Sequence, residues 1–191
     1  MQQPSTTKKI SYNDKEVSSI IDNLDDINLE SSYYLMLVVG PYKEAREDLL
    51  PRVERKVGMY KEFDLRDIIL LNEEKCYKKI DELFSSIEEN KKSLLFRHGD
   101  ALAGEYTGFT YSNTRYATPQ EKYLLKKIIN SEKFVVIEFE DLDSIDKTLE
   151  RYAQTTIICD KPTSMMGKFF WRLKQIHVHG HTFSNKRPKT A

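Results

Sequence analysis

Four short apolar runs set the strongest limit on what this chain can fold into. They are YYLMLVV at 33–39, SLLF at 93–96, FVVIEF at 134–139 and TTIIC at 155–159. Gly40-Pro41 follows the first and Pro162 closes the last, and both are turn signals. A run that is apolar at consecutive positions has no solvent face. It suits a parallel strand covered on both sides. DIILL at 67–71 reads as a further short strand of the same kind.

The segments between these runs carry helical spacing. Val17, Ile20, Ile21, Leu24 and Ile27 place one amphipathic helix over 14–27. A second helix is expected over 42–57, with Gly58 as its stop; Pro51 should kink it or break it in two. Cys76, Ile80, Leu83, Phe84 and Ile87 share a face over 73–89. Thr118-Pro119 opens another helix, with Pro at its first position, that runs to 130. The stretch 104–118, rich in Tyr, Thr, Asn and Gly, reads as a loop. Alternating strands and helices predict an α/β fold: a parallel sheet of about five strands with helices on both faces. Residues 1–13 read as a disordered lead, 14–176 as a single domain, and 177–191 as a terminal strand and basic tail.

Composition narrows the function classes. The chain is 39 % apolar, enough for a sizeable core. Thirty basic and thirty acidic residues cancel, so the basic surplus of a general nucleic-acid binder is missing. Cys76 and Cys159 fall in an expected helix and an expected core strand. They read as buried free thiols, which fits a reducing intracellular compartment, cytoplasm or organelle interior. No apolar run approaches the ~18 residues of a membrane span, and the polar N-terminus lacks the apolar centre of a secretory signal.

Five stretches, in order, carry a resemblance. They are LMLVVGPYKEARE, KKIDELFSSIEENKKSLLFRHGDALAGEY, KYLLKKI, FVVIEFEDLDSIDKTLERY and TTIICDKP. Together they resemble the core of AAA-type P-loop ATPases, the AAA proteases and their relatives, over about 33–162. The first looks like the strand and phosphate loop, the second like the helix, strand and acidic motif. The fourth looks like the sensor strand and the arginine-bearing segment after it.

The departures from that pattern decide the expectation. A working phosphate loop reads G, four residues, G, K, then S or T, so that backbone N–H groups and the Lys meet the phosphates. Here Gly40, Pro41, Tyr42, Lys43, Glu44, Ala45, Arg46 and Glu47 occupy those places. Ala45 replaces the second Gly, Arg46 the Lys, and Glu47 the magnesium-binding hydroxyl. The family's acidic pair after its third strand falls on Arg97–His98 or His98–Gly99, and Asp100 matches a later acidic position. Arg151 stands where the family places an arginine that reaches a neighbour's nucleotide; a surface ion pair is the plainer reading. The resemblance with these losses implies an AAA-like pseudoenzyme that is not an enzyme and binds no cofactor. Such a domain would be a structural or regulatory subunit of a larger assembly, with a protein partner such as an active AAA subunit. Side chains such as Tyr42, Arg46, Glu47, Arg97 and His98 would fill the ancestral cleft. Two alternatives stand beside it: a nucleotide-binding relative with a rebuilt site, and an RNA- or ribonucleoprotein-associated subunit.

Two further segments carry candidates. MMGKFFWRLKQI at 165–176 mixes apolar and basic residues. It reads as a last helix packed on the sheet, or as a docking segment in which Phe169, Phe170, Trp171 and Arg172 touch a partner. The family's helical lid would follow, and it is expected to be absent or vestigial. His177, His179 and His181 would share one strand face with zinc-like spacing. Gly180 interrupts that strand and no carboxylate lies near in sequence, so no metal is assigned.

Overall fold

The computed structural model describes residues 8–27, 32–88, 90, 92–103 and 117–169. They form a single all-parallel sheet with helices on both faces. Its strands are β1 (Lys8–Ser11), β2 (Tyr34–Val39), β3 (Lys61–Asp64), β4 (Ser93–Arg97), β5 (Phe134–Phe139) and β6 (Thr155–Ile158). They lie side by side in the order β1-β6-β2-β5-β4-β3. β2 is interior: Leu37 sits opposite Ile137 of β5 on one side and Thr156 of β6 on the other. This explains the unbroken apolar run. Leu35, Leu37 and Val39 enter one core, and Met36 and Val38 enter the other.

The helices divide between the two faces. α1 (Glu16–Asp22) and α2 (Lys43–Val57) cover the side of Met36 and Val38. α3 (Leu65–Ile68), α4 (Glu73–Ser85), α5 (Pro119–Ile129) and α6 (Lys147–Tyr152) cover the side of Leu35, Leu37 and Val39. Side chains fix where several helices begin. Asn72 Oδ1 accepts from Lys75 N at 2.9 Å, and Thr118 Oγ1 accepts from Glu121 N at 3.1 Å. Asp146 Oδ1 accepts from Leu149 N at 2.7 Å. Each such cap contributes about 1 kcal/mol.

The structure corrects four expectations. DIILL is not a strand: Leu65–Ile68 is one helical turn, capped by Asp64, and the strand of this region is KEFD, β3, just before it. That strand sits at a sheet edge and is only partly buried, so it has no apolar run to show. Residues 8–11 are not part of a disordered lead, because Lys8–Ser11 pairs with β6 and buries Ile10. This sixth strand is KKIS, and its place comes from the open edge of β6 rather than from its own pattern. Of the two outcomes expected at Pro51, the break does not occur: α2 runs unbroken from Lys43 to Val57. Residues 165–169 are helical but are not packed on the sheet: Met165 is 90 % exposed and Phe169 60 %. The loop over 104–116 and the segment 170–191 lie outside the described residues.

Candidate functional site

A parallel sheet points all its carboxyl ends at one edge, and ligands of such folds bind where successive connections leave for opposite faces. Here β2 runs into α2 on one face, while β4 and β5 lead to α5 and α6 on the other. A cleft of about 560 Å³ opens at that edge, beside the first turn of α2 and over the ends of β3, β4 and β5. Its lining carries five carboxylates, Glu47, Glu62, Asp64, Glu138 and Glu140, and three fixed cations, Lys43, Arg46 and Arg97.

Strand alternation builds the floor. Phe134 and Val136 point toward α2, and so Glu138, two residues on, points the same way at the cleft. Leu95 does the same for Arg97 on β4. Arg46 reaches this floor from α2 and is only 3 % exposed. Its Nε donates to Glu138 Oε1 at 2.8 Å, its Nη1 donates to the Gly40 carbonyl, and its Nη2 lies 3.6 Å from Glu140. Arg97 Nη1 donates to the other oxygen of Glu138 at 2.8 Å, and its Nε to Glu62 at 3.3 Å. A chain of charge-assisted bonds thus runs from Gly40 through Arg46, Glu138 and Arg97 to Glu62. It ties α2 to β5, β4 and β3. Burial alone would raise the Glu138 carboxyl; hydrogen bonds from Arg97 and Arg46 overcome this and hold it below the usual carboxylate range.

The turn after β2 is built for packing. Only Gly40, Pro41 and Tyr42 separate the strand from α2. Gly40 N donates to Phe139 O and Tyr42 N to Cys159 O, both at 3.1 Å, and Pro41 has no N–H to give. None of these N–H groups is left to turn toward a phosphate. Gly40 has φ +130°, and a Cβ there would lie 2.6 Å from the Cys159 carbonyl oxygen. The glycine is needed for this close approach to the end of β6. Lys43 to Arg46, which a phosphate loop would use as cradle, already lie within the helix.

The other expected site residues separate. Lys43 and Glu47 pair at 3.4 Å on the exposed rim of the cleft. Tyr42 is not in the lining but packs into the core beneath α2. His98 does line the cleft, with its Nε2 3.8 Å from Asp64 and its backbone at φ +56°. Asp64 is committed elsewhere. Both of its oxygens accept from the Arg66 guanidinium, and its carboxyl is held down at about 2, chiefly by that bond. Asp100 lies off the cleft: its carboxylate accepts from Glu140 N at 2.8 Å and Asp141 N at 3.0 Å, tying two turns together. Arg151 is exposed at the end of α6, beside the amino ends of the strands and opposite the cleft. Phe170, Trp171, Arg172, His177, His179 and His181 lie outside the described residues. Among the described residues no group of His, Cys, Asp and Glu has the geometry of a metal site, and no helix is long and apolar enough to cross a membrane.

Glu138 and Glu62 were not among the candidates drawn from sequence. Glu138 had a signal, as the one charge inside FVVIEF. Glu62 had none, because its strand was assigned to the wrong segment. No family model matches the chain, and no curated protein matches it significantly.

Proposed function

We propose that this chain is a non-catalytic, AAA-like domain that serves as a structural or regulatory subunit of a larger assembly. One observation carries the reading. The side chain aligned with the phosphate-binding Lys, Arg46, is buried and spent on Glu138 and the Gly40 carbonyl. In a competent site that position holds a free cation aimed at phosphates. Here a nucleotide would have to pull Arg46 from its partners, at a cost of about 3–5 kcal/mol for an uncompensated buried charge. The acidic excess of the lining opposes a polyanion as well. The charge chain fixes the carboxyl edge in one shape, which suits a scaffold that presents surfaces to a protein partner. An active AAA subunit is the partner this reading favours. The test is steady-state ATP hydrolysis by the purified chain, with Arg46→Ala as control. The reading expects no turnover above the buffer rate; turnover that disappears in Arg46→Ala contradicts it.

A further inference from the structure

Single apolar side chains on a surface are ordinary, but a group of large ones marks a contact. Among the described residues seven large apolar side chains are exposed, and three of them fall within residues 165–169. Met165, Met166 and Phe169 stand 90 %, 72 % and 60 % exposed. The segment is helical, so Met165 and Phe169 share a face one turn apart. Lys168, also exposed, sets a positive charge beside them.

A patch of the opposite charge lies on the same edge of the sheet. A pocket of about 300 Å³ is lined mainly by Ile69, Leu70, Leu71, Ala101 and Leu102. Leu71 is the most open of these, at 85 % exposed. Asp67, Glu73 and Glu74 flank this stretch in the chain, and all three are exposed. Glu73 accepts from the neutral Tyr77 hydroxyl, which leaves its charge uncompensated. Among the described residues no ion pair involves Asp67, Glu73, Glu74 or Lys168; the neighbouring pairs are Arg66 with Asp64 and Lys78 with Glu82.

We propose that the chain pairs with a second copy of itself across the carboxyl edge. Met165, Met166 and Phe169 of each copy cover Leu71 and its pocket on the other, and Lys168 meets the carboxylates beside it. The first patch follows the end of β6 and the second follows the end of β3. Four strand spacings separate these strands, about 19 Å. When two such edges face each other about a twofold axis midway between the patches, each patch meets its opposite, and both contacts form at once. Pairing of like patches sets Lys168 against Lys168 and Glu74 against Glu74, which charge disfavours. Methionine and phenylalanine suit the centre of such a contact. The pairing does not depend on whether the cleft takes a nucleotide. A positive hydrolysis test leaves it standing, and a monomeric chain leaves the pseudoenzyme reading standing.

Sedimentation velocity of the full chain tests it. From ~1 to ~100 μM, a species of twice the chain mass should grow with concentration. Leu71→Asp and Met166→Asp should each weaken the dimer by ~10-fold or more, as loss of an apolar anchor does. Both side chains are exposed in the single chain, so helical signal and melting temperature should stay at the parent values. An equal mixture of the two variants should recover part of the dimer, because the mixed pair keeps one intact contact. A chain monomeric at every concentration, a dimer that either variant leaves intact, or a mixture no more associated than its components overturns the proposal. So does a monomer that binds phosphatidylserine vesicles through Met166, which gives the helix to a lipid surface instead.

Discussion

Replacing Glu138 by Gln tests the charge chain most sharply. Glu138 accepts one bond from Arg46 and one from Arg97, both at 2.8 Å. Arg46 has nowhere to go. Its side chain is 4 % exposed, whereas that of Arg97 is 33 % exposed and regains water when its partner is lost. The cost therefore falls mainly on Arg46, and stranding one buried charge costs about 3–5 kcal/mol. The Gln carbonyl still accepts one hydrogen bond, which returns about 1–1.5 kcal/mol. The expected loss is about 3 kcal/mol, or ~6–12 °C in Tm for a domain of this size. Arg46→Met should cost less, because Glu138 keeps Arg97. The double variant Arg46→Met/Glu138→Leu should lie within ~1 kcal/mol of the parent, since apolar packing often replaces a buried pair without loss. Urea unfolding of the parent, Glu138→Leu, Arg46→Met and this double variant closes the cycle and gives the coupling energy, expected at roughly 2 kcal/mol or more. A Glu138→Gln loss below ~0.5 kcal/mol, or single costs that simply add, would refute the claim that the chain holds the edge together.

Gly40→Ala should destabilise by about 2–4 kcal/mol, from the positive φ and the contact with the Cys159 carbonyl, as read by chemical unfolding. Cys76 and Cys159 are both buried, and burial pushes the Cys159 thiol up to about 12. Neither thiol should react with a disulfide reagent at pH 8 within the time that unfolded protein reacts fully; rapid labelling of the native chain would contradict this. Glu138 and Asp64 have folded pKa values below their unfolded ones. Their contribution is therefore complete above the unfolded carboxylate range near ~4 and is lost as pH falls through the folded values. Tm should be level from pH 6 to 8 and fall from about pH 5 downward, and less steeply in Glu138→Gln; identical slopes would remove Glu138 from the account.

The interior of the sheet was legible in the sequence because β2, β4, β5 and β6 are buried on both faces and so spell unbroken apolar runs. The edges were not. Only Ile10 of KKIS is buried, and KEFD is only partly buried, so neither carries a pattern that a reader of periods would catch. DIILL drew the assignment instead, though its apolar residues serve a helical turn and the packing after it. The candidate site was half legible. Arg46, Arg97 and His98 came from positions where a known motif fails, and the structure brings all three to one cleft. Asp100 came from the same alignment and belongs to a tie between turns. Arg46 looked like a substitute for a phosphate ligand, and only the fold reveals that it faces Glu138, 92 residues away in sequence.

The most direct measurement on the central claim is the melting temperature of the full chain with ATP and magnesium, titrated to millimolar. A ligand at 100 times its dissociation constant adds about 2.7 kcal/mol, a shift of several degrees for a domain of this size. The account predicts no shift at any concentration, with Arg46 staying on Glu138. A saturable rise in Tm that Arg46→Ala abolishes would contradict it, and would make the turn from Gly40 to Glu47 a nucleotide site after all.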